Sequence, residues 1–355
     1  MAGLRSSTYP DPMTFAAFPT ADLQRRQLLK GALAAGALAL PPVARAAQPA
    51  PLVVGALPVT CNLTLPVACA ARAASVAGAS GRLFEFSKYG GWAEVKESLM
   101  TGRIAAAYML APLVMDLVNG RIPLKIVSLG HRSGAVIMVR TDSPHRRFAD
   151  LKGRRIAIPS RFAVDYLFLR KMLAREGMGA GDIEIIEMAP PDMPAALYAQ
   201  AIDAYCTGEP FGAAAQRAGY ARPLAMTRDE WRNYICCVLT VREDLIRDDR
   251  ALVQDLVNHV QSAGHWLDAA PTNRETAVRI ASGRSYFNQD PKIIRFVMNN
   301  PYDRVTYGDL RMLRTEFDEL MQLSLQARTI KRPIAYERYV DESFVRGARS
   351  VPIAL

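Results

Sequence analysis

The stretch Ile202-Asp203-Ala204-Tyr205-Cys206-Thr207-Gly208-Glu209-Pro210-Phe211 decides the fold. Ile202, Ala204 and Cys206 alternate with more polar neighbours, the period of a β-strand. Gly208 allows close backbone approach where the strand stops. Pro210 suits the first turn of a helix, and Phe211 to Gly219 continues as an Ala-rich helical run. Glu209 therefore stands outside the carboxyl end of a strand at a helix N-terminus. Open α/β sheets bind their ligands there. An ionised carboxylate at this point accepts hydrogen bonds or holds a cation. It could equally serve only to complement the helix dipole.

Strands and helices alternate on both sides of this unit. Apolar runs at Leu52–Leu57, Leu83–Phe86, Ile104–Met109, Leu124–Leu129, Ala135–Arg140, Arg155–Ile158, Ile183–Met188 and Tyr234–Thr240 predict strands. Between them, Leu63–Val76, Ala93–Met100, Ala111–Gly120, Phe162–Glu176 and Met193–Gln200 predict helices. This is the pattern of an α/β fold with largely parallel sheets. Thr60 and Asn62 follow the first strand as helix-capping types, where free N–H groups can meet an anion. Ser160 is a cap candidate at the turn after Arg155–Ile158, and Arg161 brings a fixed cation beside it. Trp92 stands at a helix start after Gly90-Gly91, and His131 follows a strand end. His145, His259 and His265 lie in loop or amphipathic contexts and are assigned no role. From Arg242 onward the texture is helical, with predicted helices at Leu245–Leu267, Asn273–Ser282, Pro291–Asn299 and Gly308–Arg328, and no further strand.

The chain has 355 residues and a net charge of +10. Residues 1–46 carry five basic against two acidic residues, which leaves +7 for the rest. That charge suits an anionic ligand or a membrane-facing surface without specifying either. No basic-aromatic motif marks nucleic-acid binding. Residues 1–46 are expected to be a targeting segment. Arg25-Arg26 precedes the apolar run Gly31–Leu40, and Ala44-Arg45-Ala46 offers a cleavage site. The twin arginines resemble a Tat export signal, so the mature chain is expected in the periplasm, without stable membrane insertion. The five cysteines, Cys61, Cys69, Cys206, Cys236 and Cys237, show no metal-ligand spacing. Cys206 and Cys236 fall on two predicted strands and could pair, while small buried hydrophobes is the simpler role.

Together these segments resemble the periplasmic solute-binding proteins of ABC importers, in particular the nitrate/bicarbonate-binding group of the nitrate, sulfonate and thiamine-precursor family. Asp203 to Phe211 is similar to that family's DAFCVGEPW segment. Asp150-Leu151-Lys152-Gly153-Arg154-Arg155-Ile156-Ala157-Ile158-Pro159-Ser160 is similar to its DLKGKRIAVPS strand. Trp92-Ala93 and Gly130-His131-Arg132-Ser133-Gly134 match more weakly. Two α/β lobes of the type II binding-protein fold, joined by crossover strands and closing over a small ligand, are what the resemblance implies. Lobe I would comprise residues 47–140 and 241–355, and lobe II residues 141–240. Ligand contacts would come from Glu209, Trp92 and His131, with Thr60, Asn62, Ser160, Arg161 and Gly208 at the adjoining turns. The chain departs from the family in Tyr108-Met109-Leu110-Ala111-Pro112, which offers no amide where the nitrate and bicarbonate binders carry a Gln.

The implied function is capture of a small oxoanion or small polar nitrogen compound for delivery to a permease and its ATPase. No cofactor and no metal ligand are assigned, a ligand-associated metal ion being left open. No GxSxG, HExxH or spaced Cys-His motif supports catalysis, so a non-enzyme is expected. The alternatives are a pyrimidine-synthesis-type or other enzyme on the same scaffold, or a ligand-sensing domain. Under the binding reading, Glu209→Gln should alter selectivity and leave the stability of the ligand-free protein nearly untouched.

Overall fold

The computed structural model describes residues 49–75, 81–232 and 234–355. The export segment inferred at 1–46 lies outside the described residues. Twelve strands follow in chain order: β1 (Leu52–Ala56), β2 (Phe84–Lys88), β3 (Ala106–Leu110), β4 (Leu124–Leu129), β5 (Arg132–Ser133), β6 (Ala135–Arg140), β7 (Arg155–Ile158), β8 (Glu184–Glu187), β9 (Ala204–Gly208), β10 (Ala221–Met226), β11 (Cys237–Arg242) and β12 (Val305–Thr306). The first sheet has the order β2-β1-β3-β11-β4 and the second β10-β6-β9-β7-β8. β1 runs parallel to β2 and β3, and β7 parallel to β8 and β9, so each sheet has a parallel part. In each, one strand runs against its neighbours: β11 against β3 and β4, and β6 against β9 and β10. These are the two lobes of an α/β binding-protein fold. One apolar cluster runs through both, from Val54 and Tyr108 to Ile137 and Phe168.

The exchange between lobes falls one strand earlier than the pattern suggested. β6 belongs to the second sheet and β11 to the first, so the crossovers are residues 130–134 and 227–236. The break at Thr141-Asp142-Ser143-Pro144 is a turn within lobe II. The crossovers need glycine for packing reasons. A Cβ at Gly130 would lie 2.2 Å from the Tyr108 ring, and Gly134 has φ +97°. The two crossovers touch each other through a bridge between Arg132 and Ile235. β5 pairs antiparallel with β12, which ties the first crossover to the C-terminal region.

Three further differences have local causes. β10 carries Pro223 and a register shift at Pro223/Ala225, and it forms the edge of its sheet. Proline is tolerated at such an edge, but it hides the strand from an alternation test. The helix expected over Leu245–Leu267 is divided at Asp249, whose carboxylate accepts the Leu252 N–H (3.0 Å) and starts the helix Arg250–Ala269 afresh. The helix expected over Gly308–Arg328 begins only at Arg314. Its missing turn is diverted because the Tyr307 and Gly308 N–H groups both donate to Asp268 (2.6 Å each).

The C-terminal helices cover both lobes. Arg250–Ala269 packs on Thr64–Ser75 of the first, and Pro291–Asn299 on Phe211–Arg217 of the second. Arg132 clamps this region to the first crossover. It grips Glu316 with two nitrogens (2.6 and 3.2 Å) and donates to the Asp309 carbonyl (2.7 Å). The Asp309 carboxyl is held down at about 2, first by its hydrogen bond from Arg311 and then by Arg132, against partial burial. A depressed carboxylate stabilises the fold above its ordinary pKa, and that contribution disappears as pH falls through the folded value. Asp309→Asn should therefore destabilise near neutrality, lose that cost as pH falls from about 4 to 2, and flatten the acid limb of the stability curve there. Urea unfolding at stepped pH checks this. Among the described residues, no helix is long and apolar enough to cross a membrane.

Candidate functional site

A cavity of about 400 Å³ opens between the lobes. Lobe I contributes Trp92, Lys96, Leu113 and Asp116, and lobe II contributes Ser160, Phe162 and Glu187. Trp92 is brought there because Gly91, extended, starts the helix Trp92–Met100 and turns its first residue toward the gap. Only 7% of Trp92 is exposed, so it is both a wall of the cavity and part of the core. The Ser160 hydroxyl accepts the Phe162 N–H (3.2 Å). It shapes the turn rather than capping the helix, which starts at Val164 behind Ala163. Asp116 has its carboxyl raised by burial, partly countered by Lys96. The cavity thus holds one cation beside two acidic groups. The charged members are Lys96, Asp116 and Glu187, none of which the sequence singled out. They sit on helix faces or at a strand end, and only the juxtaposition of lobes makes them a lining.

The other residues expected at the ligand go elsewhere. Arg161 pairs with the cavity-lining Glu187 (3.2 Å) and lines an adjoining hollow with Tyr166 and Lys331, which shares Asp116 and Phe162 with the cavity. Thr60 donates its backbone N–H and its hydroxyl to the Glu209 carbonyl (2.9 and 3.0 Å). The Tyr307 hydroxyl donates to the Thr60 carbonyl (2.8 Å). The Asn62 amide donates to the Leu57 carbonyl (2.9 Å). Thr60 and Asn62 are fully buried and organise the turn after β1.

Glu209 does follow β9 at a helix start, but its carboxylate is already engaged. Oε2 accepts the Ala213 N–H (2.8 Å), and Oε1 accepts from Arg304 Nε (2.6 Å). Both side chains are almost wholly buried. Burial pushes the Glu209 carboxyl up, and Arg304 only partly offsets this. Glu209 is thus an interior ion-pair member, with a protein partner where a ligand was expected. Arg304 gave no sequence signal, since it lies 95 residues away in a segment without periodicity.

His131 is fully buried at the first crossover. Its Nε2 accepts the Cys237 backbone N–H at a long 3.2 Å, and its Nδ1 has no partner. Cys61 Sγ, Cys237 Sγ and a His131 ring nitrogen lie within 4.8 Å of one another. The Cys61 thiol is lowered by a hydrogen bond from Cys237, which with His131 outweighs burial. At His131 burial opposes a charge, and the Cys61 sulfur reverses the direction. The Cys237 N–H aimed at Nε2 makes that nitrogen an acceptor. Gly208 and Gly134 leave room for the sulfur, since a Cβ there would lie 3.1 and 3.6 Å from Cys61 Sγ. All five cysteines are buried and unbridged.

The family model described as NMT1-like matches residues 45–282, more than half of the sequence. The chain belongs to the NMT1-like family. Among relatives of this NMT1-like protein is the nitrate/nitrite binding protein NrtA of Nostoc sp., 25% identical over 260 residues. That match covers 64% of this chain and 58% of the relative. The nitrate import ATP-binding protein NrtC of Synechococcus elongatus is 28% identical over 223 residues, 58% of this chain and 34% of that one. The chain therefore spans less than two thirds of these relatives. Among solved structures, the ligand-binding component of an ABC-type import system from Staphylococcus aureus, determined with zinc bound, aligns with a TM-score of 0.76. It is 26% identical, and the alignment covers 86% of this chain and all of that one. The periplasmic nitrate-binding protein NrtA from Synechocystis aligns with a TM-score of 0.72 at 18% identity, over 83% of this chain and 87% of that one. The two-lobed fold implied by the sequence resemblance is thus the fold of this NMT1-like chain.

Proposed function

We propose that this protein is the exported substrate-binding component of an ABC importer, and that it takes a small polar solute between its lobes. The observation that carries this is the interlobe cavity of about 400 Å³, walled by Trp92 on one side and Ser160 and Glu187 on the other. A ligand touching both walls favours the closed state by its differential affinity. The closed form would then dock on a permease served by an ATPase. Family membership and the likeness to import-system binding proteins support the same role, in the periplasm and without catalysis. Binding of this kind requires no resident cofactor.

The lining favours one class of solute. A bare oxoanion would meet Lys96 but also the acidic Asp116, and Glu187 is already engaged by Arg161. A small nitrogen compound with N–H donors and a carbonyl acceptor would satisfy both Asp116 and Lys96. Isothermal titration of the mature chain against nitrate, bicarbonate, cyanate, urea and taurine tests this. Saturable heat with at least one is expected, and none at all would reject the ligand class. Asp116→Asn should raise the Kd of an N–H donor by about 10-fold or more, since hydrogen bonds to charged groups contribute roughly 1.5–3 kcal/mol. Lys96→Gln should then matter little. The reverse result would assign the cavity to an oxoanion.

A further inference from the structure

The geometry points to a buried binding site for a thiophilic divalent cation, Zn²⁺ in chemical class, formed by Cys61, His131 and Cys237 where the two crossovers meet the turn after β1. This site is separate from the interlobe cavity, none of whose lining residues it shares. Four observations carry it.

The first is convergence. Cys61 comes from the turn after β1, His131 from the first crossover and Cys237 from the start of the returning strand. They are 70 and 106 residues apart in sequence, so no spacing motif could reveal them. Yet one donor atom from each lies within 4.8 Å of the others. Two sulfurs and an imidazole form the donor set that suits a soft or borderline cation over Mg²⁺ or Ca²⁺.

The second is an unmet requirement. His131 Nδ1 is wholly buried and without a partner. Asp165 Oδ1 is likewise buried and unpartnered. Buried polar atoms left alone are costly and rare. Coordination through one ring nitrogen would leave the other to carry the ring's proton.

The third is space. Gly208 and Gly134 both withhold a Cβ beside Cys61 Sγ, and the contacts there would be 3.1 and 3.6 Å. The fourth is the open coordination number. Three protein donors leave one position of a tetrahedron. Cys236, whose sulfur is 4.0 Å from that of Cys237, is the nearby thiol able to complete it. A cation held here would clip the turn after β1 to the first crossover and to the start of β11.

The test uses the mature chain, unfolded under reducing conditions with a chelator and refolded with or without Co²⁺ as a spectroscopic probe. The expected result is one bound Co²⁺ with a thiolate charge-transfer band, displaced by Zn²⁺. Cys61→Ser and Cys237→Ser should each weaken binding at least about 100-fold, beyond the 10–100-fold typical of groups behind a ligand. Cys69→Ser, in a buried cysteine outside the cluster, should bind as the parent does. Should a serine variant fail to refold, the parent spectrum decides alone. Absence of a thiolate band, or unchanged binding by a folded Cys61→Ser, overturns the site. Solute titrations on the metal-free protein remain informative either way, because they report on the separate cavity.

Discussion

Arg304→Met lowers the stability of the ligand-free protein by about 3–5 kcal/mol, the usual cost of leaving one member of a buried ion pair alone. For a chain of this size that is roughly 5–8 °C in Tm. Glu209 and Arg304 are each no more than 2% exposed at the side chain, so water cannot replace the lost partner. Arg304 also donates to the Gln216 side chain and the Asn300 carbonyl (3.2 and 2.9 Å), and both acceptors lose a donor. The deficit should depend on pH with a defined sign. Burial raises the folded Glu209 carboxyl, and removing Arg304 raises it further. A raised carboxyl favours the folded state only where it is protonated, so the deficit is largest near neutrality and shrinks as pH falls toward the unfolded value. Glu209→Gln alone should destabilise as well, by stranding Arg304. This reverses the expectation drawn from the sequence. The double replacement Glu209→Leu with Arg304→Met should recover much of the loss, because apolar substitutes for a whole buried pair are often neutral. Denaturant melts of the parent, Glu209→Leu, Arg304→Met and the double variant across pH 5 to 8 measure this. Additive single and double losses would mean the pair is not coupled.

Arg274→Met has an expected cost of similar size, about 3–5 kcal/mol, for a different reason. Arg274 is 1% exposed and gathers the segment that carries Arg304. It donates to the carbonyls of Met298 (2.6 Å), Tyr302 (2.5 Å) and, more weakly, Val305 (3.4 Å). Its guanidinium lies over the Tyr302 ring, 3.7 Å from the centroid, and it pairs with Asp268. Asp268 in turn holds the Tyr307 and Gly308 N–H groups. The Tyr307 hydroxyl reaches the Thr60 carbonyl, beside Cys61 (2.8 Å). Removing the guanidinium strands several buried acceptors at once. Arg274→Lys should rescue only part, since an ammonium lacks the planar fork that reaches several carbonyls. Hydrogen exchange should speed up over residues 298–308 before the rest of the chain. Uniform loss of protection across both lobes would instead assign Arg274 a general packing role.

The same chain of contacts shows where the reading of the site from sequence stops. Glu209 at a strand end before a helix is visible in the order of residues, because local periodicity and the Gly-Glu-Pro step fix it. Whether its carboxylate faces a ligand or an arginine is decided by a loop 95 residues on. Trp92 and Ser160, which line the interlobe cavity, stood out in the sequence because each follows a turn at a strand end or a Gly pair. Lys96, Asp116 and Glu187 did not, because a charged residue on a helix face or strand end looks like ordinary surface until a second lobe is set against it.

The sequence by itself determined the alternation of strands and helices and the end of β9 where Glu209 stands, while the two lobes came from its resemblance to a family. The first two depend on interactions within a few residues, which periodicity, glycine and proline record. The tertiary structure alone decided which strands the lobes exchange, that Glu209 is paired with Arg304, and that Cys61, His131 and Cys237 meet. Each of these depends on contacts between residues that are distant in the chain, and one chain's residue order carries no signal for which distant groups will share a buried space.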